Sequence, residues 1–286
     1  MLPETDFLPL NKNVRLLAAD SCGIFALEKP AGMMTHPNAP GLAAAKNAML
    51  VADYSLRNEC YFVRDTNGNV RKIFVLNRLD SPTSGVVLCA NDEKIAALAR
   101  AAFAGSEVGK TYFALVLGRF AGTQNWKDFL IKENKNGNLN VRAVPHGKLR
   151  GAQFAETDAE ILRANAFCSL IKLSPHTGRT HQLRVQCAAH GFPILGDRAY
   201  GDFSANRKIA ASSVVEARNR LFLHAAATEI IFPWRGREIR FKAESPLPSV
   251  FENVLAEAPQ PPSSENTQVG RFTVRLKNQS NKKRSA

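Results

Sequence analysis

Residues 73–90 read IFVLNRLDSPTSGVVLCA. Two short apolar runs, 73–76 and 85–90, flank a polar centre, Asn77-Arg78-Leu79-Asp80-Ser81-Pro82-Thr83-Ser84. β-Branched and aliphatic runs closed by Pro, Ser and Gly read as strands joined by a tight connection. An Arg-x-Asp pair therefore stands at the mouth of a sheet, beside the backbone donors of a turn. An aspartate in such a place commonly does no more than brace its own turn. The alternative is a carboxylate presented to a cleft.

Working outward, residues 22–28 form another apolar strand, stopped by Lys29-Pro30-Ala31-Gly32. Residues 43–54 are expected to be a helix. Strands at 61–63 and 72–76 bracket the Asn67-Gly68 turn, a good hairpin signal. An Ala-rich helix is expected over 92–103 with Asn91 as its N-cap, then a strand at 111–117. The polar stretch 125–151 suits an exposed hairpin or loop. Alternating runs at 154–163 and 167–173 suit paired strands. A helix is expected at 180–190, with closing strands in 221–232 and 237–242. Strands outnumber helices and short turns join several of them. The fold class is therefore α+β: a mixed, largely antiparallel sheet flanked by a few helices. Residues 1–20 read as an N-terminal lead-in, 21–257 as the folded domain and 258–286 as a basic, disordered tail.

The 286 residues carry 38 Lys and Arg against 25 Asp and Glu, a formal charge of +13. Such an excess favours a polyanionic partner, most often nucleic acid, although solubility alone also accounts for it. Residues 261–286 hold six Lys/Arg and one Glu, so most of the excess belongs to the body of the chain. No apolar run approaches the roughly 18 residues that a membrane span needs. The opening MLPETDFLPLNKN lacks the apolar core of a secretory leader. Five cysteines at 22, 60, 89, 168 and 187 form no CxxC pair. Cys22, Cys89 and Cys168 fall in apolar strand-like runs and read as small reduced core residues. His176 and His181 are five apart and gather no third ligand type, so no metal is expected. A cytoplasmic, monomeric protein is the expectation.

Three further segments could carry chemistry. Residues 174–184, SPHTGRTHQLR, pack two Arg and two His between a strand and a helix. Arg179 and Arg184 could bind phosphate or pair with a buried carboxylate. Cations at a helix N-terminus oppose its dipole, so something acidic should offset them, and Asp80 or RNA phosphate would both serve. Residues 109–118, GKTYFALVLG, set Lys110 and Tyr112 in a strand. Residues 191–201, GFPILGDRAYG, are a constrained turn rich in glycine.

Together these segments resemble the RluA-type pseudouridine synthases, which isomerise uridine in ribosomal or transfer RNA. NRLDSPTSG stands where that family has His-Arg-Leu-Asp-x-x-Thr-Ser-Gly. KPAG, GKTYFALVLG, HTGRTHQLRVQ and GFPILGDRAYG follow in family order, with weaker matches at Leu223-His224-Ala225 and Pro246-Leu247-Pro248. The resemblance runs from about residue 22 to 251. It implies the pseudouridine synthase fold with a central catalytic cleft. It implies Asp80 as catalytic aspartate, Tyr112 as the ring against the target base and Arg184 as the partner of the aspartate. Arg78 would enter the RNA near the space left by the flipped uridine, and Arg179, His181 and Lys110 would bind RNA. The reaction breaks N1–C1′, turns the uracil and joins C5 to C1′, which needs no cofactor. Whether the aspartate attacks C1′, adds to C6 or removes a ribose proton stays open. The Tyr112 hydroxyl is a candidate base for the C5 proton, though a phenol needs help in that role. Asn77 and Gln186 stand where the family usually has His, which bears on how RNA is held.

Two other readings stay beside this one. A non-catalytic RNA-binding protein would show a damaged Asp-Tyr-Arg set. A glycosidase would need a second carboxylate, for which Asp197 is the only motif acid. The charge distribution generates a first test. Deleting residues 261–286 removes six cations, so RNA affinity should fall for all sequences alike. The slope of log affinity against log salt should flatten by up to about 4. An unchanged slope in filter binding across a salt series would show that the tail makes no phosphate contacts.

Overall fold

The run at 85–90 forms a strand buried along its whole length, and four neighbouring segments pack against it. The structure, a computed structural model, describes residues 7–38, 41, 45–105, 107–135, 138–144 and 149–257. The tail at 258–286 lies outside them. In chain order the strands are β1 Arg15–Ala19, β2 Ile24–Lys29, β3 Asp53–Ser55, β4 Cys60–Arg64, β5 Val70–Val75, β6 Ser84–Ala90, β7 Val108–Leu117, β8 Thr123–Lys135, β9 Asn138–Val144, β10 Gln153–Ala164, β11 Cys168–Pro175, β12 Leu223–Trp234 and β13 Arg237–Glu244. The described helices are α1 Glu93–Ala104, α2 Gln182–Ala189, α3 Phe203–Ala210 and α4 Ser249–Ala256.

All the strands join one sheet, in the order β3-β4-β5-β6-β12-β7-β11-β10-β8-β9, with β2 branching from β6 to carry β1, and β13 from β12. Among the described strand pairings only β6–β12 is parallel, so the expected mixed, largely antiparallel sheet is what forms. β6 is the branch point: it pairs β2 over its full length, touches β5 through Phe74 and Val75, and meets β12 at Ser84 and Gly85. Gly85 makes that last approach possible. It has φ +114°, and a Cβ there would lie 2.1 Å from the Ala225 carbonyl oxygen.

Two apolar cores lie either side of a seam. One gathers β7, β11, α2, α3 and α4 residues such as Leu115, Leu173, Leu183 and Phe251. The other gathers Phe25, Leu27, Met49, Tyr61, Ile73 and Val87. Tyr112 packs against both, which puts it where the halves meet. A third core lies under α1, whose buried Ile95, Ala96, Ala99 and Ala102 give one apolar stripe.

Several local expectations are corrected. Arg15–Ala19, assigned to a lead-in, is a strand paired with β2. The helix expected over 43–54 is absent from its described part, which holds β3. There Met49 N donates to Met34 O and Val51 N to Pro9 O, and Met49 and Leu50 are fully buried. Long-range pairing overrides an Ala-rich helical preference. The N-cap of α1 is Asp92, not Asn91: the Asp92 carboxylate accepts from Lys94 N at 2.8 Å and Ile95 N at 2.9 Å. The 125–151 stretch is a hairpin, β8–β9, but Trp126, Leu130, Val141 and Val144 bury one face of it. Cys22 sits in the turn before β2, partly exposed, while Cys89 and Cys168 are buried strand residues as expected.

The close approach at Gly85 sets a stability test. Gly85→Ala should cost about 3–4 kcal/mol, combining left-handed strain with a backbone collision. Gly32→Ala, at φ +84° in open space, should cost about 1–2 kcal/mol from strain alone. Urea unfolding of the two variants measures the difference.

Candidate active site

Four segments converge at the seam. The β5–β6 connection brings Arg78 and Asp80, the segment after β2 brings Met34, Thr35 and His36, β7 brings Lys110 and Tyr112, and the β11–α2 connection brings Arg179 and His181. They line a cavity of about 660 Å³. A smaller recess of about 130 Å³ shares most of these residues and adds Arg184 and Leu223. All seven residues singled out from sequence therefore meet in one place.

Asp80 is held through its neighbours. The buried Thr35 hydroxyl donates to Leu79 O at 3.1 Å and accepts from Leu79 N at 3.2 Å. On the other side, Ser81 O accepts from Gly32 N at 2.8 Å and from Lys29 Nζ at 2.9 Å. Lys29 Nζ also donates to Pro30 O at 3.0 Å and Met33 O at 2.6 Å. This lysine is 0% exposed. Burial pulls its ammonium down to about 7, against which the Asp80 charge pushes upward and Arg220 pushes further down. The KPAG segment looked like a turn only. A lysine closing a buried strand was the signal that it did more.

Arg184 projects from the first turn of α2 and is almost fully buried. Its Nη1 donates to Asp80 Oδ2 at 3.0 Å, as the resemblance implied. Its planar fork, however, grips another carboxylate: Nε reaches Asp197 Oδ2 at 2.7 Å and Nη2 reaches Asp197 Oδ1 at 2.8 Å. Asp197, from the glycine-rich turn, thus joins Asp80 in offsetting the basic helix start and was not anticipated in that role. Burial would raise its carboxyl, but the bonds and charge of Arg184 and the N–H groups of Ala199 and Tyr200 hold it below the usual carboxylate range. Both its oxygens are engaged and it is 1% exposed. It is therefore not free to act as the second carboxylate of a glycosidase.

His181 takes up a place beside the aspartate. It has a left-handed backbone, φ 53°, and its Nε2 lies 3.8 Å from Asp80 Oδ2. The Tyr200 hydroxyl oxygen accepts from Val141 N at 3.2 Å and lies 2.8 Å from His181 Nδ1. With the hydroxyl donating to Nδ1, the ring proton sits on Nε2, facing Asp80. Burial lowers the basicity of this imidazole despite the nearby carboxylate. Lys110 Nζ donates to Thr177 O at 3.2 Å, and burial, with Arg179 adding repulsion, lowers its ammonium. Arg179 is exposed, with Nε donating to Phe154 O at 2.9 Å. Gln182 Oε1 accepts from Arg179 N and the Thr177 hydroxyl, steadying that loop. Burial, reinforced by Asp80, pushes the Tyr112 hydroxyl up, which keeps it a phenol.

The two residues in place of the family His each make a join within the fold, and Asn77 also lines the cavity. Asn77 Oδ1 accepts from Leu88 N at 2.7 Å, closing the β5–β6 connection. Gln186 is buried, takes a hydrogen bond from Thr157 Oγ1 at 2.7 Å and donates to Asp128 Oδ2 at 2.8 Å, pinning α2 to β10 and β8. Among the described residues no cluster of His, Cys, Asp and Glu is arranged to hold a metal.

The family model for RNA pseudouridylate synthase matches residues 23–189. Ribosomal large subunit pseudouridine synthase C of Vibrio vulnificus is 30% identical over 253 residues, covering 88% of this chain and 72% of the relative. Its namesake in Escherichia coli K12 is 31% identical over 222 residues, covering 77% and 63%. The solved structure of human RNA pseudouridylate synthase domain containing 4 superposes with a TM-score of 0.59 at 22% identity, over 84% of this chain and 91% of that one. The chain belongs to the RNA pseudouridylate synthase family, in its RluA-type branch, and is by class an isomerase.

The Arg184–Asp197 pair makes a pH-dependent prediction. Asp197→Asn leaves a buried guanidinium short of a partner, which should cost about 3 kcal/mol at pH 7. Because the native carboxyl sits below its ordinary value, its stabilisation is complete above the unfolded pKa and fades as pH falls through the folded one. The gap between wild type and Asp197→Asn should therefore narrow below about pH 4. Urea unfolding from pH 3 to pH 7 checks this. A gap that widens in acid would contradict it.

Proposed function

We propose that the cavity receives a single uridine turned out of ribosomal RNA and that Asp80 carries its isomerisation to pseudouridine. The observation that carries the reading is the bracing of Asp80: its two chain neighbours are locked by Thr35 and Lys29 and its carboxylate is met by Arg184. Positioning on that scale serves chemistry, because an off-target reacting group forfeits most of its advantage. A base inside folded RNA must leave its stack to reach such a pocket. The Tyr112 ring offers it a flat face. Since burial and Asp80 both keep the Tyr112 hydroxyl protonated, it takes the C5 proton only if its own proton passes to a neighbour.

Arg184 acts on Asp80, and Arg78 acts on the RNA. Arg78 stands two residues before Asp80, exposed at the rim of the same cavity. From there it can fill the gap behind a flipped base. Lys110, Arg179 and the rest of the positive charge would meet phosphates. Ribosomal RNA is favoured over transfer RNA because the relatives in Vibrio vulnificus and Escherichia coli are named for the large ribosomal subunit. The enzyme in this reading works as a cytoplasmic monomer, with the sheet and helices from β1 to α4 as its catalytic domain and residues 258–286 as an accessory basic tail. Isomerisation with no redox change and no net hydrolysis asks for no cofactor.

Asp80→Asn should abolish pseudouridine formation and leave RNA affinity nearly unchanged, since the swap keeps shape and removes charge. More than a trace of product, mapped across total RNA with and without the protein, would remove Asp80 from the catalytic role. Arg78→Ala should impair a stem-loop substrate by at least tenfold more than an unpaired oligonucleotide, because opening a stack costs a few kcal/mol. Equal losses on the two would end its part in base flipping.

A further inference from the structure

His36 stands in the same cavity wall as Arg78, 42 residues earlier in the chain. Its ring is fixed on two sides. It lies parallel to Tyr54, centroids 4.6 Å apart and planes 7° from parallel. Tyr54 in turn meets Tyr61 edge-on at 4.8 Å, and the Tyr61 hydroxyl donates to Thr35 O at 2.7 Å. In the ring plane, His36 Nδ1 is 2.9 Å from Pro37 O. A carbonyl oxygen only accepts, so Nδ1 carries a hydrogen. On the other side Nε2 lies 3.3 Å from Arg78 Nη1. A guanidinium only donates, so Nε2 must offer its lone pair. The ring is therefore the neutral Nδ1–H tautomer, the one form that satisfies both contacts.

We propose that His36 is a positioning residue for Arg78: an aromatic-backed acceptor that holds the guanidinium over the cavity mouth until RNA takes it. A free arginine on an exposed turn spreads over many rotamers, and confining it costs conformational entropy. An acceptor on a rigid ring supplies that confinement before RNA arrives. At 3.3 Å the bond is longer than an ordinary N–H···N contact, so it holds Arg78 without preventing its departure. The proposal rests on the reading of Arg78 as the residue that enters the RNA, and extends it to the residue that delivers it.

Two measurements test it. In the full RNA-free chain, nitrogen-15 shifts of the His36 ring should show Nδ1–H with Nε2 as acceptor, and Arg78→Ala should move the Nε2 resonance. An Nε2–H tautomer, or an Nε2 signal indifferent to Arg78→Ala, would overturn the proposal. In turnover, His36→Phe keeps a flat ring on Tyr54 and removes the acceptor. It should lower kcat/KM on a stem-loop by about tenfold, as expected for a lost bond to a charged donor, and barely affect an unpaired oligonucleotide. His36→Gln, whose carbonyl can still accept, should recover most of the loss. In an Arg78→Ala background His36→Phe should do nothing further. Additive losses in the double variant would mean that His36 acts on the fold or the RNA directly. Should Arg78→Ala alone hit both RNAs equally, the flipping role of Arg78 falls, while the ring shifts and the double-variant comparison still decide whether His36 holds it.

Discussion

One guanidinium ties the active site together. Arg184 comes from α2, Asp197 from the glycine turn beyond it, and Asp80 from the β5–β6 connection on the far side of the seam. Three of the arginine's N–H groups are spent on those two carboxylates, two on Asp197 and one on Asp80. A buried pair of this kind adds little net stability, because desolvation offsets most of the attraction. Its contribution is position. With the fork gripped by Asp197, the remaining arm of Arg184 points in one direction, and Asp80 meets it there. The tyrosine ring of Tyr200 lies under the same guanidinium at 5.0 Å and also meets His181, so the histidine beside Asp80 is set by the same anchor.

The aspartate is equally constrained from its own side. A carboxylate on a turn between two strands would ordinarily drift with the turn. Here the segment 29–35 runs alongside, and its hydroxyl, ammonium and backbone N–H groups take up the peptide groups on either side of Asp80. Lys29 is unusual in this arrangement. It faces three carbonyl oxygens and, among the described residues, no carboxylate within bonding distance, so its charge is balanced by dipoles and by the more distant Asp80. Both clamps depend on β6, whose pairing with β2 brings residues 29–35 beside residues 79–81 and whose meeting with β12 at Gly85 closes the floor of the cleft.

The cleft has a graded character that follows from burial. Its floor is backed by buried polar groups, Arg184, Asp197, Lys29 and Thr35. Its rim is wet and basic, with Arg78 and Arg179 exposed. Attraction of a polyanion belongs to the rim, where charges are solvated and screened by salt. Orientation of the reacting groups belongs to the floor, where a hydrogen bond once made is not contested by water.

Much of this was legible in the chain itself. Alternation and turn residues are local signals, so β5, β6, β7, β10, β11 and the Asn67-Gly68 hairpin could be read directly, whereas the grouping of Asp80, Tyr112 and Arg184 was implied by the family resemblance and not by local pattern. Residues 43–54 show where local signals fail: their helical composition loses to backbone pairing with residues 9 and 34. Lys29 looked like part of a turn, Asp197 like a turn acid, and His36 drew no notice. Asn77 and Gln186 could be read only as departures from the family His, and the strand and helix joins they make were not legible. The sequence alone determined which chemical groups the protein owns and which short segments carry them, because propensity and periodicity are properties of neighbours in the chain. Only the tertiary structure decided which carboxylate Arg184 grips, which ring steadies Arg78 and which carbonyls receive a buried ammonium. Apart from the contacts of Lys29 with Pro30 and Met33, those pairings join residues 13 to 104 positions apart, and the free energy that selects among them arises from burial, which no local stretch of sequence contains.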